Sequence, residues 1–293
     1  MNEVVAVVVT YNRKDILIKC IKCLMKQEYP CDILVVDNNS TDGTEECVRS
    51  FVEAGKICYY NTMENLGGAG GFRIGLELAL KKGYSYMWMM DDDTLPQEDA
   101  LKELFNADKR LCGEYGFLSS VALWNDGALC NMNIQRIGIN KKVQDYTDIS
   151  PVIMATFVSF FIKAETIKCV GFPIKDFFIW ADDLEYSRRI SKRLPCYMVP
   201  QSKVVHCMNS NQKVGIAEES IDRLWRYKYL YRNEVYVFRR EGIKGYVYLI
   251  ARMIKHTLEI LYSSKKDKRI KITIIWNSFF SGFSFSPKVE YCE

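Results

Sequence analysis

The sequence lacks an excess of charge of either sign. Its 40 basic and 36 acidic side chains leave a formal charge of +4, so nothing global demands nucleic acid as a partner. Long apolar runs are missing too: none approaches the ~18 residues of a bilayer-spanning helix. Asn2 and Glu3 lead straight into a strand-like run, and no signal peptide is expected. Cys20 and Cys23 form a C-x-x-C with no second pair and no nearby histidine. They fall in a helical pattern and are read as small core or surface residues. The chain's 11 cysteines follow no spacing framework, which suits free thiols in a reducing cytosol. No Gly-Lys-Ser/Thr occurs, which excludes a P-loop, and there is no internal repeat or low-complexity linker. What is present is ordinary globular material: 48% hydrophobic and 26% charged residues over 293 positions, enough for one large or two modest domains.

The stretch that organises the rest is Tyr86-Met87-Trp88-Met89-Met90 followed by Asp91-Asp92-Asp93. A short apolar run reads as a strand buried on both faces. Ionised carboxylates are costly to take out of water, so the three acids are expected solvent-facing, just past the strand's carboxyl end. Open parallel sheets bind ligands at that edge. Asp91 and Asp93, as alternate residues, would point in a similar direction and could share a hard divalent cation, Mg²⁺ or Mn²⁺.

Around it the chain alternates. Val4 to Thr10 reads as a first buried strand, and Leu17, Cys20, Ile21 and Leu24 have helical spacing. Ile33 to Val36 is a second strand ending at Asp37. Asp42 with Glu45 resembles a helix-start capping box. Ile57 to Tyr60 is a third strand, followed by a glycine loop, Asn65-Leu66-Gly67-Gly68-Ala69-Gly70-Gly71-Phe72, that runs into a helix through Leu80. Such alternation predicts an α/β fold with a mainly parallel sheet. Leu118 to Leu123 and Met154 to Ile162 read as further strands, the second apolar enough to be central. Phe177 to Trp180 is another apolar segment, ending in Asp182, Asp183 and Glu185. From Asp222 the periodicity is helical: Leu224, Tyr227, Tyr231, Val235 and Phe238 share one face, and Val247, Ile250, Ile254, Leu258 and Leu261 another. A last set is Ile272, Ile275, Trp276, Phe279 and Phe283. The natural division is an α/β domain over residues 1–210 and a helical region over 211–293. A dinucleotide-binding Rossmann domain is excluded, because its glycines belong after the first strand, where Thr10-Tyr11-Asn12-Arg13 stands instead.

Four ordered motifs remain: V-V-V-T-Y-N-R, V-V-D-N-N-S-T-D-G-T, N-L-G-G-A-G-G-F and D-D-D. Together they resemble the N-terminal half of family 2 glycosyltransferases, the inverting enzymes of GT-A fold. The resemblance implies a nucleotide site drawn from Thr10, Tyr11, Asn12, Asp37, Asn65, Gly68, Arg73 and Asp92, with Asp91 and Asp93 on the metal. Trp180-Ala181-Asp182-Asp183-Leu184-Glu185-Tyr186 resembles the family's acceptor-side acidic motif, in which Asp183 takes the place of the catalytic base and Asp182 lies beside the sugar. Only two histidines occur, and His206 falls where the family's galactofuranosyltransferases carry a third metal ligand. His256 reads as a surface residue. Trp124 and Trp180 could stack on a sugar ring or serve the core. Tyr231-Arg232-Asn233 resembles a helix motif recurrent in members that act on lipid-linked sugars, and spacing assigns it no role.

The resemblance therefore implies a metal-dependent inverting transferase that uses Mn²⁺ or Mg²⁺. It would move galactofuranose from UDP-galactofuranose to a glycan or lipid-linked glycan in cell-surface polysaccharide synthesis. A dTDP-rhamnose-dependent rhamnosyltransferase is the alternative. A non-catalytic glycan- or nucleotide-binding relative is disfavoured, since every acid of the motifs is present. Lys265, Lys266, Lys268, Arg269 and Lys271 precede the apolar face Ile272 to Phe283, a pattern suited to an anionic bilayer surface. A cytoplasmic protein, peripheral on the inner face of a bacterial membrane, is the expectation.

Overall fold

The structure is a computed structural model that describes residues 2–208, 210–211, 215–262 and 266–292. Strand β1 (Val4–Thr10) is buried along its whole length, as its β-branched run requires. Helix α1 (Lys14–Leu24) turns Leu17, Cys20, Ile21 and Leu24 inward. Then come β2 (Asp32–Asp37), α2 (Thr44–Glu53), β3 (Cys58–Asn61), α3 (Gly67–Lys81) and β4 (Tyr86–Asp91). These four strands are parallel, with Val7 of β1 between Leu34 of β2 and Met89 of β4. Next are β5 (Thr94–Pro96), α4 (Ala100–Arg110), β6 (Phe117–Leu123), β7 (Ser150–Pro151), β8 (Phe160–Lys163), α5 (Ala164–Val170), α6 (Asp182–Ser191) and β9 (Tyr197–His206). The sheet runs β3-β2-β1-β4-β8-β6-β9-β5, with β7 on β9. Helices α7 (Trp225–Phe238), α8 (Gly242–Tyr262) and α9 (Lys268–Ser284) complete the described chain.

Two cores cover the two faces of the sheet, one built on Leu17, Trp88 and Leu104, the other on Leu76, Met89 and Phe160. A third joins Tyr231, Val235 and Phe238 of α7 and Ile275 of α9 to Phe177, Ala181 and Ala69. The helical C-terminal residues thus share a core with the loop that leads into α6.

Local expectations change in several places. The glycine cluster is not a loop; it forms the first turns of α3. A Cβ on Gly71 would lie 2.6 Å from Val9 Cγ1, and one on Gly75 would lie 2.4 Å from Val7 Cγ1. Those glycines let α3 lie directly on β1. The stretch read as a strand from Met154 to Ile162 is extended only from Phe160, although β8 is central as expected. Asp42 does not form a capping box with Glu45. Gly43 caps α2 at φ 88°, and Asp42 Oδ1 accepts from the Thr44 amide and hydroxyl two residues on. On α8 the apolar face of Val247, Ile250, Ile254, Leu258 and Leu261 is 44–62% exposed, while Leu249, Met253 and Ile260 turn inward.

The α3 contact gives a stability test. Gly75→Ala should destabilise the protein by roughly 1–3 kcal/mol despite alanine's better helix propensity, because the methyl overpacks Val7 and Val36. Gly68→Ala, where a Cβ meets nothing within 4 Å, should be neutral or stabilising by up to about 1 kcal/mol. Urea unfolding of both variants measures this, and equal stability of Gly75→Ala and wild type would refute the close-approach account.

Candidate functional site

Strand β4 delivers its acids to the carboxyl edge of the sheet, but they are not solvated there. Asp92 is 3% exposed and Asp93 4%, which corrects the expectation of solvent-facing carboxylates. Each has found partners. Asp92 accepts the Thr10 hydroxyl at 2.7 Å and pairs with Arg13 Nη1 at 3.1 Å. Asp93 takes Arg13 Nη2 at 2.8 Å. Burial still shows in their acidity: it pushes Asp92 up to about 7, against the pull of Arg13. Burial, then the Asp93 charge, pushes Asp91 up to about 6. For Asp93 burial is outweighed by the His206 hydrogen bond and by the His206 and Arg13 charges, which hold it below the ordinary value.

His206 arrives through strand register. The short β5 pairs antiparallel with the end of β9, setting Thr94 opposite His206. Asp91, Asp93 and His206 each offer an atom, all within 4.8 Å of one another. His206 Nδ1 lies 2.8 Å from Asn133 Oδ1, an oxygen that also accepts from the Cys130 thiol. The imidazole therefore donates from Nδ1. Its Nε2 then faces Asp93 Oδ1 at 3.1 Å, a buried oxygen that no other donor reaches among the described residues. Two lone pairs at that distance require either a proton or a cation between them. Burial disfavours the imidazolium, but the Asp93 hydrogen bond and the nearby carboxylates overcome it and push His206 up to about 10. Two carboxylates and an imidazole fit a divalent cation.

Asp182 and Asp183 open α6, where the helix N-terminus favours negative charge. Asp182 is buried, and burial with the Asp183 and Asp91 charges raises it well above the carboxylate range. Asp183 is more open and near enough for its charge to raise Asp91. The acids at the start of α6 and those at the end of β4 therefore meet at one place.

The remaining candidates divide. Tyr11 is exposed beside this edge, and Asn12, at φ 53°, ties its loop to Thr41 and Ser40. Asp37 is fully buried, accepting from Ser40 and from the Tyr59 hydroxyl. Asn65 Oδ1 caps α3 at the Gly67 amide, and Gly68 follows on the open side of that turn. Trp124 donates its indole N–H to the Met208 carbonyl, and Trp180 meets Tyr227 edge-on at 5.1 Å. Arg73 is the clear exception. It points away, bonded to Glu77 and Glu290 and lying over Phe172, because the helical turn puts it opposite the sheet-facing Gly71 and Gly75. His256 is not a plain surface residue, since its Nδ1 lies 2.8 Å from the Tyr231 hydroxyl. Sequence reasoning passed over Arg13, although it ends the first motif, and Asn133, whose irregular surroundings carry no periodic signal. It also missed Arg226 at the start of α7, whose Nε is buried without a partner and whose acidity is raised by burial and by Arg223 and Arg13.

A sheet of this order, with carboxylates at the end of β4, is that of the GT-A fold. The structure superposes on GalNAc-T7 solved with UDP, GalNAc and Mn²⁺, at a TM-score of 0.66 and 13% identity over 96% of this chain and 56% of that one. It also superposes on the mannosyltransferase PcManGT from Pyrobaculum calidifontis in complex with GDP-Man and Mn²⁺, at 0.58 and 17% over 96% and 86%. Residues 5–112 match the family described as glycosyl transferase family 2. The galactofuranosyltransferase GlfT1 of Mycobacterium tuberculosis is 28% identical over 266 residues, 83% of this chain and 84% of that protein. These matches support a family 2 glycosyltransferase related to the galactofuranosyltransferases.

If Asp93 Oδ1 and His206 Nε2 face a cation, Mn²⁺ should raise the melting temperature, since a ligand at 100 times its Kd stabilises by about 2.7 kcal/mol. Asp93→Asn should abolish that increment and His206→Ala should weaken it at least tenfold in apparent Kd. Thermal melts across a Mn²⁺ titration measure both, and an undiminished increment in Asp93→Asn would remove Asp93 from the site.

Proposed function

We propose that the protein transfers galactofuranose, with inversion, from a UDP-linked donor to a glycan acceptor carried on a lipid. The observation that supports the donor is the likeness to GlfT1 across 83% of the chain. The residues assign themselves parts. Asp91, Asp93 and His206 would hold Mn²⁺ or Mg²⁺, and such an ion, when bound, offsets charge on a departing diphosphate. Arg226, with its unpartnered Nε, and Arg13 add cationic side chains on the same side. Asp183 would accept the proton of the attacking acceptor hydroxyl. Burial raises the pKa of Asp182, and Asp183 is the more open of the two acids. The Tyr11–Asn12 loop and Asp37 would line the base and ribose.

The lipid-linked acceptor brings in the membrane. Among the described residues no helix is long and apolar enough to cross one. The surface expected from sequence, the Ile272 to Phe283 face, does not serve. Ile275 and Phe279 are buried in the third core, and Lys271 is buried with its ammonium on the Ala217 carbonyl. Lys265 lies outside the described residues. The exposed apolar face is that of α8 instead: Ile243, Val247, Ile250, Ile254, Leu258 and Leu261 form one stripe along 21 residues, roughly 30 Å long. Tyr246 stacks on Phe283 and carries the patch onto α9, where Phe280 is 63% exposed. Lys244, Lys255, Lys266 and Arg269 are exposed at its margin and end. A second copy seated here would bring those cations together, whereas an anionic bilayer complements them.

Two measurements test this reading. Offered UDP-galactofuranose, UDP-galactopyranose and dTDP-rhamnose together with a lipid-linked acceptor, the enzyme should consume the first at least tenfold faster. Preference for dTDP-rhamnose would overturn the donor. The protein should co-sediment with anionic vesicles at low salt, and Ile250→Glu with Ile254→Glu should abolish this while preserving turnover of a water-soluble acceptor. Dimerisation through the stripe, with no vesicle binding, would overturn the membrane surface.

A further inference from the structure

The segment leading into α6 adopts a conformation its residues disfavour. Phe178, Trp180 and Ala181 have φ of 62°, 66° and 64°, three side-chain-bearing residues in the left-handed region within four positions and no glycine among them. Such strain persists only where surrounding contacts over-determine it. Its carbonyls show which contacts these are. Phe178 O accepts from the Ala69 amide in the first turn of α3, at 3.2 Å, and Ala181 O accepts from the Glu185 amide of α6. The other three converge on one side-chain amide: Asn233 Nδ2 lies 2.9 Å from Phe177 O, 3.2 Å from Ile179 O and 2.8 Å from Trp180 O.

Asn233 is fully buried on α7. Its Oδ1 accepts from Arg232 Nε and Nη2 at 3.0 and 2.9 Å, and Arg232 Nη2 also donates to the Asp176 carbonyl. The guanidinium rests on the Phe285 ring, 3.9 Å from its centroid. A cation on the amide oxygen polarises the amide and strengthens its N–H groups as donors. Only an uncharged side chain with two N–H groups can serve three converging carbonyls; a carboxylate of the same shape would repel all three. The two residues after the clamped loop are Asp182 and Asp183.

We propose that Asn233, held by Arg232, is the positioning residue that sets the base carboxylate of Asp183, and that this is what the Tyr231-Arg232-Asn233 motif does. It rests on the reading of Asp183 as base. The helical C-terminal region thereby supplies a working part of the active site from a distance in sequence.

The test uses the full chain in four forms: wild type, Asn233→Asp, Asp183→Asn and the double variant. Asn233→Asp should keep Mn²⁺ and UDP affinity within about twofold and lower kcat by ~10²–10⁴, the range of general-base help. Hydrogen exchange should accelerate within residues 177–186 and nowhere else in the sheet. Because Asn233 acts through Asp183, the double variant should be no slower than Asp183→Asn alone. Multiplying losses, or wild-type kcat in Asn233→Asp, would overturn the proposal. Should Asn233→Asp fail to fold, Arg232→Lys, which removes the two-pronged hold on Oδ1, must show the same confined exchange and a smaller kcat loss with donor KM unchanged. An unaltered exchange pattern there refutes the clamp. If Asp183→Asn retains wild-type turnover, the fault lies in the assignment of the base. The clamp is then decided by exchange alone, unaltered rates in 177–186 refuting it.

Discussion

The structure turns on burying like charges together. Asp92 and Asp93 sit almost wholly out of water beside Asp91, at the end of a strand buried on both faces. That arrangement is stable only if cations and hydroxyls reach it. Two parts of the fold do so: the end of β1 and the turn after it bring Thr10 and Arg13, and the end of β9 brings His206, whose Nε2 lies 3.1 Å from Asp93 Oδ1. The parallel register of β1 with β4 and the antiparallel pairing of β5 with β9 are what make these ends coincide. The proposed binding and catalytic chemistry would occupy the place where the burial of charge costs most.

Much of this was legible in the chain. Strands buried on both faces must read as β-branched or bulky runs, so β1, β2 and β4 stood out, and the acids after β4 marked the ligand edge. What a one-dimensional reading could not supply was the partner set. Burial of Asp92 and Asp93 depends on Arg13 and His206, which are distant in sequence, and water was the only solvating partner a local argument could offer. Asn133 lies in an irregular stretch and is placed by tertiary contacts alone. The glycine cluster is a different kind of failure. Gly67, Gly71 and Gly75 recur every fourth residue, the spacing of one helix face. Glycine's low helix propensity argued for a loop, and the gain from laying α3 on Val7 and Val9 outweighed it. Once Gly71 and Gly75 face the sheet, Arg73 must face elsewhere.

Helix α8 shows the limit of periodicity itself. Its two apolar faces, Leu249–Met253–Ile260 and Val247–Ile250–Ile254–Leu258–Leu261, both obey helical spacing. Only the tertiary arrangement reveals that the first meets α7 and α9 while the second is left exposed among the described residues. An apolar stripe of that length with lysines at its margin is atypical of a surface shaped by water alone.

The strained loop before α6 joins these themes. Gly67 has no Cβ, and one placed there would stand 2.1 Å from the Phe178 carbonyl oxygen. That missing atom lets Phe178 approach closely enough to accept from the Ala69 amide, which occupies the first turn of α3 with protein instead of leaving it open to a phosphate. The same loop is gripped from the other side by Asn233. Its shape is therefore set jointly by α3 and by α7, which belongs to the C-terminal helices. From α7 the aromatic rings of Trp225, Tyr227, Tyr229 and Tyr236 pack on Phe177, Phe178 and Trp180, while Asn233 and the Ala69 amide of α3 serve the loop's carbonyls. Apolar packing and hydrogen bonding together hold the acids at the start of α6 near those at the end of β4. Polar accounting of this kind tolerates few substitutions, because an unmatched carbonyl in this buried setting has no water to turn to.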